Sequence, residues 1–164
     1  MDTKRKLEVM KRNEEANKRH EEEWKAKMEK LMNGDMQAVL VDVYGSGRAS
    51  RVHVGHSLDA WYEVLGCQWV EMPRRWIGDK AFVIICDEEG TFRSDCKVSA
   101  RNGNEVMLVG NLLVVADDEH ELGEVRGLTD EEVKHVMQHV QPVMSMSGGR
   151  FEVWDVLRDV HYYR

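Results

Sequence analysis

The sequence lacks the marks of membrane, secreted and zinc-binding proteins. No stretch approaches the roughly 18 consecutive apolar residues of a membrane-spanning helix, and the charged N-terminus has no apolar core of a signal peptide. The three cysteines, Cys67, Cys86 and Cys96, share no CxxC spacing, which argues against a disulfide framework or a zinc site. We therefore expect a cytoplasmic protein without membrane association.

Catalytic motifs are also missing. The chain has no GxSxG, HExxH or Walker sequence, and no cysteine stands in a motif that would activate its thiol. Glu132, His135 and His139 share one side of a predicted helix, but they lie away from its apolar stripe and hence toward solvent. A catalytic metal site needs a sheltered cavity and further ligands. We therefore predict no catalytic residue, no metal site and no cofactor, and we expect that the protein is not an enzyme.

Charge is distributed unevenly along the 164 residues. Residues 1–33 have ten basic and eight acidic side chains, a balance of +2, whereas residues 34–164 have 13 and 22, a balance of −9. A surface that neutralises phosphates needs the opposite sign. Direct nucleic-acid binding by the main domain is therefore not expected. An acidic nucleic-acid mimic is an alternative, if the acids line one face.

Residues 1–33 predict a charged helical arm, since residues 3–32 contain neither glycine nor proline. Its acid-first pairs at i,i+4 spacing favour a solvated helix. These pairs are Glu14/Lys18, Glu15/Arg19, Glu21/Lys25 and Glu23/Lys27. Two interpretations have equal standing: the end that carries Trp24 and Met28 docks on the domain or forms a homodimer with a second copy, or the helix is a solvated arm.

Residues 36–142 predict a compact domain. Apolar runs rich in β-branched residues at 38–41, 82–86 and 107–115 are typical of strands. Ser57 and Gly66 bound one short helix, and a capping box at Thr129–Glu132 begins another. The acids that precede this box are therefore interpreted as a solvated loop. We predict an α+β fold with a mixed or antiparallel sheet of about four to six strands and two or three short helices after the long charged helix.

Two segments have the composition of a binding surface. Arg74, Arg75 and Trp76 form the one local basic and aromatic cluster of the domain, and arginine and tryptophan are favoured in interface hot spots. The C-terminal element, residues 143–164, is amphipathic as either a helix or a strand, and it carries three aromatic candidates. These are Trp154, Tyr162 and Tyr163. Each could contact a partner or fold back onto the core.

A second type of site would bind an anion. Glycine amides in the segment 44–48 could cradle a phosphate, although a turn between two strands explains the same sequence more simply. Arg48, Arg51 and Arg74 are the candidate side chains for an anionic nucleotide. A small-molecule-binding or sequestering protein is therefore an alternative function.

The order of these parts resembles a family of roughly hundred-residue domains of unknown function, family 3846. The segments that carry the resemblance are Met36–Asp42, Ser57–Gly66, Gln68–Pro73 in place of the family's GxIExV segment, Phe82–Gly90, Val109–Val115 and Leu128–Glu132. The resemblance implies a phage, plasmid or bacterial setting and no established chemistry. We therefore expect a non-enzymatic phage or mobile-element accessory protein in the bacterial cytoplasm, one that binds a host or phage protein and modulates host defence.

Overall fold

The computed structural model describes the backbone of residues 3–32, 34–121 and 123–164, and their side chains except those of 24–32 and 147. The helices are α1 Thr3–Met32, α2 Leu58–Leu65 and α3 Asp130–Gln138. The strands are β1 Met36–Asp42, β2 Arg48–Val54, β3 Val70–Glu71, β4 Arg74–Ile77, β5 Lys80–Asp87, β6 Val98–Asn102, β7 Glu105–Val109, β8 Leu112–Asp117, β9 Val125–Arg126, β10 Val140–Ser147, β11 Arg150–Leu157 and β12 Val160–Tyr162. The predicted α+β class is confirmed. The described residues hold more strands than the expected four to six, in two sheets.

The larger sheet has the strand order β12-β4-β5-β8-β1-β2, with β3 beside β5 and β9 beside β8. All of its pairings are antiparallel. The three predicted apolar runs lie in β1, β5, β7 and β8, and β5, β8 and β1 are the central strands. Their residues are apolar in succession because both faces of the sheet are covered.

The large sheet separates two apolar clusters. On one face, α2 packs Trp61, Val64 and Leu65 against side chains that include Leu40 and Leu113. The opposite face is covered by α3 and the smaller sheet, whose Trp154, Val156 and Leu157 join side chains of β1, β5 and β8. Successive strand residues point to opposite faces, so one strand supplies both clusters. Each fully buried large apolar side chain contributes roughly 1.5–3 kcal/mol to folding.

Both short helices begin at the predicted caps, and α2 also ends at the predicted Gly66. Ser57 Oγ accepts the Ala60 amide at 3.2 Å, and Gly66 closes α2 in the left-handed conformation, with φ 64°. At α3, Thr129 Oγ1 accepts the Glu132 amide at 3.2 Å while the Glu132 carboxylate accepts the Thr129 amide at 2.9 Å. These bonds satisfy amides that have no partner inside the helix. The capping-box prediction is confirmed.

The C-terminal element consists of strands that belong to the same core. The smaller sheet has the order β10-β11-β6-β7, with β11 parallel to β6. Two glycines at 148 and 149 join β10 to β11, both with positive φ, as a tight hairpin turn requires. Asp159, with φ 56°, lies between β11 and β12, and β12 returns to the large sheet beside β4. Residues 143–164 therefore complete both sheets, and the segment 150–164 forms the strands β11 and β12 and no helix.

α1 contacts the edge strand β2, and its side chains from Thr3 to Glu23 are all exposed. Among the described residues, no helix combines the length and the apolar character needed to cross a bilayer.

Candidate protein-binding surface

The pairing of β12 with β4 brings together the two segments that the sequence marks separately as binding candidates. Tyr162 lies opposite Arg75, and His161 lies opposite Trp76. The pairing continues inward to Val160 and Ile77, which are fully buried in the core. This buried end holds the two strands together, while the tyrosines beyond it are about half exposed.

Three side chains form a ladder on one side of this strand pair. The rings of Trp76 and Tyr163 stack with centroids 5.9 Å apart and an interplanar angle of 18°. Arg74 Cζ lies 5.8 Å from the centroid of the Tyr163 ring. The same guanidinium binds Asp117 of β8 through two contacts, Nε to Oδ2 at 2.9 Å and Nη2 to Oδ1 at 3.1 Å. Asp117 therefore fixes the direction of Arg74.

Arg75 and Tyr162 form a second contact of the same type. Arg75 Cζ lies 5.0 Å from the centroid of the Tyr162 ring, and Nη1 donates to the Arg74 carbonyl at 2.8 Å. Its buried Nε has no hydrogen-bond partner among the described residues. Because neighbouring residues of a strand point to opposite faces, this contact lies on the other face of the β4–β12 pair from the ladder of Arg74, Tyr163 and Trp76. We call Arg74, Arg75, Trp76, Tyr162 and Tyr163 the arginine–aromatic surface.

A cavity of about 500 Å³ adjoins this surface. It is lined by Trp76, Asn102, Glu105, His161, Tyr162 and Arg164. Asn102 Nδ2 donates to His161 Nδ1 at 3.1 Å and so connects β6 of the smaller sheet to β12. The cavity therefore lies where the two sheets meet. Its lining combines the aromatic rings of Trp76 and Tyr162 with charged, amide and imidazole side chains, so it could receive a side chain that has both apolar and polar groups.

The other candidates for partner binding lie elsewhere. Trp154 is 8% exposed, and its Nε1 donates to the Val98 carbonyl at 2.8 Å, so it is part of the core between the sheets. Trp24 and Met28 belong to the part of α1 whose side chains lie outside the described residues. The arginine–aromatic surface therefore contains five of the eight residues that the sequence predicts as partner-binding candidates.

The structure does not bring the three nucleotide-binding candidates together. Arg48 and Arg51 lie on β2, at the opposite end of the large sheet from Arg74 on β4. Four strand spacings separate β2 from β4, which is roughly 19 Å. One phosphate group cannot contact arginines at both ends of that distance.

The glycine-rich segment after β1 is a turn whose amides are already bonded. Asp42 Oδ1 accepts the Gly45 amide at 2.8 Å, and Oδ2 accepts the Ser46 amide at 3.0 Å. The Gly47 amide donates to the Asp42 carbonyl at 2.8 Å. The Asp42 carboxylate thus occupies the position that a phosphate would need. Asn111 completes the arrangement, and sequence reasoning missed this residue because its partner is distant along the chain.

Glu132, His135 and His139 do not form a common site. Glu132 pairs with Arg126, with Nη1 to Oε1 at 2.8 Å. The expectation that the histidines face solvent was wrong for His135, whose side chain is 12% exposed. His135 Nε2 donates to the Ile77 carbonyl at 2.6 Å, and its ring stacks on Phe82. The reason is that the β4–β5 turn covers this side of α3, which the helical period alone does not reveal.

Within the described part of the chain, no group of three or more His, Cys, Asp or Glu side chains is arranged to hold a metal ion. Two of the neighbouring acids have arginine partners: Asp117, the last residue of β8, pairs with Arg74, and Glu132 of α3 pairs with Arg126.

The family model for the domain of unknown function DUF3846 matches residues 36–141. This chain belongs to that family. No curated protein and no solved structure matches it significantly. In this DUF3846 protein, the matched range contains the β4 half of the arginine–aromatic surface and ends before the β12 half. The complete surface therefore depends on residues outside the family match.

Proposed function

We propose that this protein is a non-enzymatic accessory protein of a phage or mobile element, that it acts in the cytoplasm of the bacterial host, and that it binds a host or phage protein through the arginine–aromatic surface. The observation that carries the proposal is the pairing of β4 with β12, which joins an arginine–tryptophan segment to a tyrosine pair. A few residues carry most of the binding energy at protein interfaces, and tryptophan, tyrosine and arginine are enriched among them. The DUF3846 family membership supports the phage or mobile-element setting that the resemblance implies.

The contacts within the arginine–aromatic surface favour binding because they already restrict its side chains before a partner binds. Tyr163 is held between Trp76 and Arg74, and Arg74 is held in turn by Asp117. Immobilising a flexible side chain on binding costs roughly 0.5–1.5 kcal/mol. A surface whose side chains already contact one another loses less of this free energy when a partner binds.

The charge of the surface indicates the chemistry of the partner. Arg75 contacts an aromatic ring and a backbone carbonyl, and Arg164 lines the adjoining cavity. Both positive charges favour a partner that carries carboxylates, because hydrogen bonds between arginine and a carboxylate are charge-assisted. The partner we propose has an acidic segment next to an aromatic or aliphatic side chain that fills the cavity.

Affinity capture from host and phage-infected lysates tests this proposal. The double variant Trp76→Ala/Tyr163→Ala removes the stacked pair and should lose the captured protein. With the purified partner, titration calorimetry should then give at least a tenfold higher Kd, equivalent to about 1.4 kcal/mol. Phe92→Ala is the matched control, because Phe92 is an aromatic residue with 86% exposure outside the surface.

A further variant separates the surface from the helical arm. Trp24→Ala/Met28→Ala removes the two arm candidates and should leave capture unchanged. If this variant loses the partner while Trp76→Ala/Tyr163→Ala keeps it, the arm is the binding element and the proposed surface is wrong. Identification of the partner as a defence protein would support a role in modulating host defence.

A further inference from the structure

The hairpin of β10 and β11 exposes an apolar face that the proposed function does not use. Its register places Met144 opposite Val153 and Met146 opposite Phe151. These four side chains lie on the same face of the hairpin, and each is between 61% and 67% exposed. We call them the hairpin face. Soluble monomers rarely expose contiguous apolar patches of this kind, and such patches commonly mark interaction sites.

The same hairpin ends the smaller sheet with an open edge. β10 pairs with β11 on one side and is the terminal strand of the sheet in the described chain. Edge strands are usually protected from pairing by charged side chains or proline. The ten residues 140–149 contain no Lys, Arg, Asp or Glu, and their proline stands near the start at Pro142. The later part of β10 is therefore an edge without charge protection.

Charge and symmetry point to a second copy of this chain as the occupant. The formal net charge of the chain is −7, so two copies carry a net electrostatic repulsion. The uncharged segment 140–149 allows close approach without that repulsion. Antiparallel pairing of one edge strand with its own copy is self-complementary about a two-fold axis, the commonest symmetry of protein dimers.

We propose that this protein forms a homodimer in which β10 pairs antiparallel with β10 of a second copy. Pro142 sets the register, because a proline in a strand is tolerated where its nitrogen faces an open edge. Residues 144 and 146 face the same edge, since orientation repeats every two residues. Met144 then exchanges backbone hydrogen bonds with Met146 of the second copy, and Ser145 lies on the two-fold axis.

This register joins the two hairpin faces into one apolar surface across four strands. Methionine and phenylalanine side chains from both copies become neighbours, and the smaller sheets continue into each other. The edge and four side chains per copy bury less than the roughly 800 Å² per partner of a standard stable interface. We therefore expect a dissociation constant in the micromolar range. The dimer presents two arginine–aromatic surfaces.

Sedimentation velocity over increasing concentration tests the dimer. The wild-type mass should rise from 19.0 kDa toward twice that value. Met144→Lys places a lysine opposite Met146 of the second copy and brings the two lysines to diagonal positions about 7–8 Å apart. The variant should therefore stay at 19.0 kDa, with at least a tenfold weaker self-association. Leu7→Lys is the matched control, since Leu7 is 54% exposed on α1, and it should dimerise like the wild type. A wild type that stays monomeric, or a dimer lost in Leu7→Lys and kept in Met144→Lys, overturns the proposal.

A cysteine on the proposed axis tests the register. Residues directly opposite in a non-hydrogen-bonded antiparallel pair have Cα atoms about 4.5 Å apart, within the disulfide range. In a Cys96→Ser background, Ser145→Cys should form an intermolecular disulfide on mild oxidation, visible as a dimer on non-reducing gels. Ser94→Cys, at another exposed serine, should give at least tenfold less. Equal cross-linking of the two variants, or none for Ser145→Cys, overturns the antiparallel register.

The dimer and the proposed function are distinguishable. Trp76→Ala/Tyr163→Ala should dimerise like the wild type, while Met144→Lys should still bind the captured partner at each surface. Because Met144 is 66% exposed, Met144→Lys should also keep the thermal unfolding midpoint of the monomer. Loss of dimerisation in the Trp76→Ala/Tyr163→Ala variant would contradict an interface at β10.

Discussion

Asn111 Nδ2 donates a 3.0 Å hydrogen bond to Asp42 Oδ1, and both residues are 9% exposed. The bond joins the end of β1 to the start of β8, and Asn111 Oδ1 also accepts the Tyr44 amide at 3.2 Å. Together with the Gly45 and Ser46 amides, Asn111 surrounds the carboxylate with donors. A buried charge is tolerated when it is bonded in this way. The turn that resembles a phosphate cradle is thus built around a carboxylate of the chain itself.

Asp42→Asn should destabilise the fold by about 1–3 kcal/mol. One side-chain oxygen becomes an NH₂ group that faces donors, so at least one buried amide loses its acceptor. Urea denaturation measures the free energy of unfolding. Asp35→Asn changes an exposed aspartate and should alter this free energy by less than about 0.5 kcal/mol. Equal effects of the two substitutions would contradict a structural role for the Asp42 carboxylate.

Trp154→Phe should destabilise the protein without affecting partner capture. Phenylalanine cannot donate to the Val98 carbonyl, and it leaves part of the indole volume empty. Both losses together should cost about 1–3 kcal/mol. Chemical denaturation checks the stability, and affinity capture below the unfolding transition checks binding. If a folded Trp154→Phe variant fails to capture the partner, Trp154 contributes to partner binding and is not only a core residue.

Glu132→Gln should destabilise the protein in a pH-dependent manner. Burial opposes ionisation of Glu132, but hydrogen bonds from Arg126 and Thr129 outweigh it and hold its pKa below the ordinary value of 4.5. A carboxyl group with a lowered folded pKa contributes stability above its unfolded pKa, and this contribution is lost as pH falls through the folded value. The variant should therefore be less stable by about 1–2 kcal/mol at neutral pH. The difference should shrink as the pH falls below 4.5.

Urea unfolding of both proteins across acidic and neutral pH measures this difference. Glu131→Gln is the matched control, because Glu131 is an exposed neighbour in the first turn of α3. Its effect should be smaller, as expected for an exposed charge near a helix N-terminus. A Glu132→Gln deficit that is the same at every pH would show that the lost interaction does not depend on the carboxylate charge.

Thiol alkylation of the native protein should modify Cys96 first, Cys67 more slowly and Cys86 last. Cys96 is exposed, whereas burial, with Asp87 nearby, raises the pKa of the Cys67 thiol. Burial also raises the pKa of Cys86, and the neighbouring Glu71 raises it further. The thiolate is the reactive species, so both effects slow the reaction. Peptide mass spectrometry should find Cys96 modified at least tenfold faster than Cys86, with equal rates only in denaturant.

Local parts of the fold could be predicted from local sequence. The N-terminal caps of α2 and α3 depend on residues three positions apart, such as Thr129 and Glu132, so the local sequence was sufficient to predict them. The central strands were also recognisable, because a run such as Phe82–Cys86 is covered on both faces and is apolar throughout. The number of strands was underestimated because a strand of two residues, such as Val70–Glu71, is too short to show a periodic pattern.

The candidate site was predicted only in its parts. Arg74, Arg75, Trp76, Tyr162 and Tyr163 were recognised by residue type, but nothing in either segment indicates that they pair. Tyr163 and Trp76 meet because Val160 and Ile77 are buried side by side, and that burial depends on the whole core. His135 illustrates the same point, since its exposure was decided by a turn from a distant part of the chain.

Composition, charge and short-range pattern by themselves determined the α+β class, the acidic domain, the charged arm and the helix ends, because each depends on side chains and their near neighbours. Tertiary structure alone decided which segments share a surface. In the folded chain Trp154 is buried and the Asp42 carboxylate accepts the amides of the glycine turn. Met144 and Phe151 remain exposed to solvent. These outcomes follow from strand pairing between distant residues, where the free energy depends on the packing of the complete core.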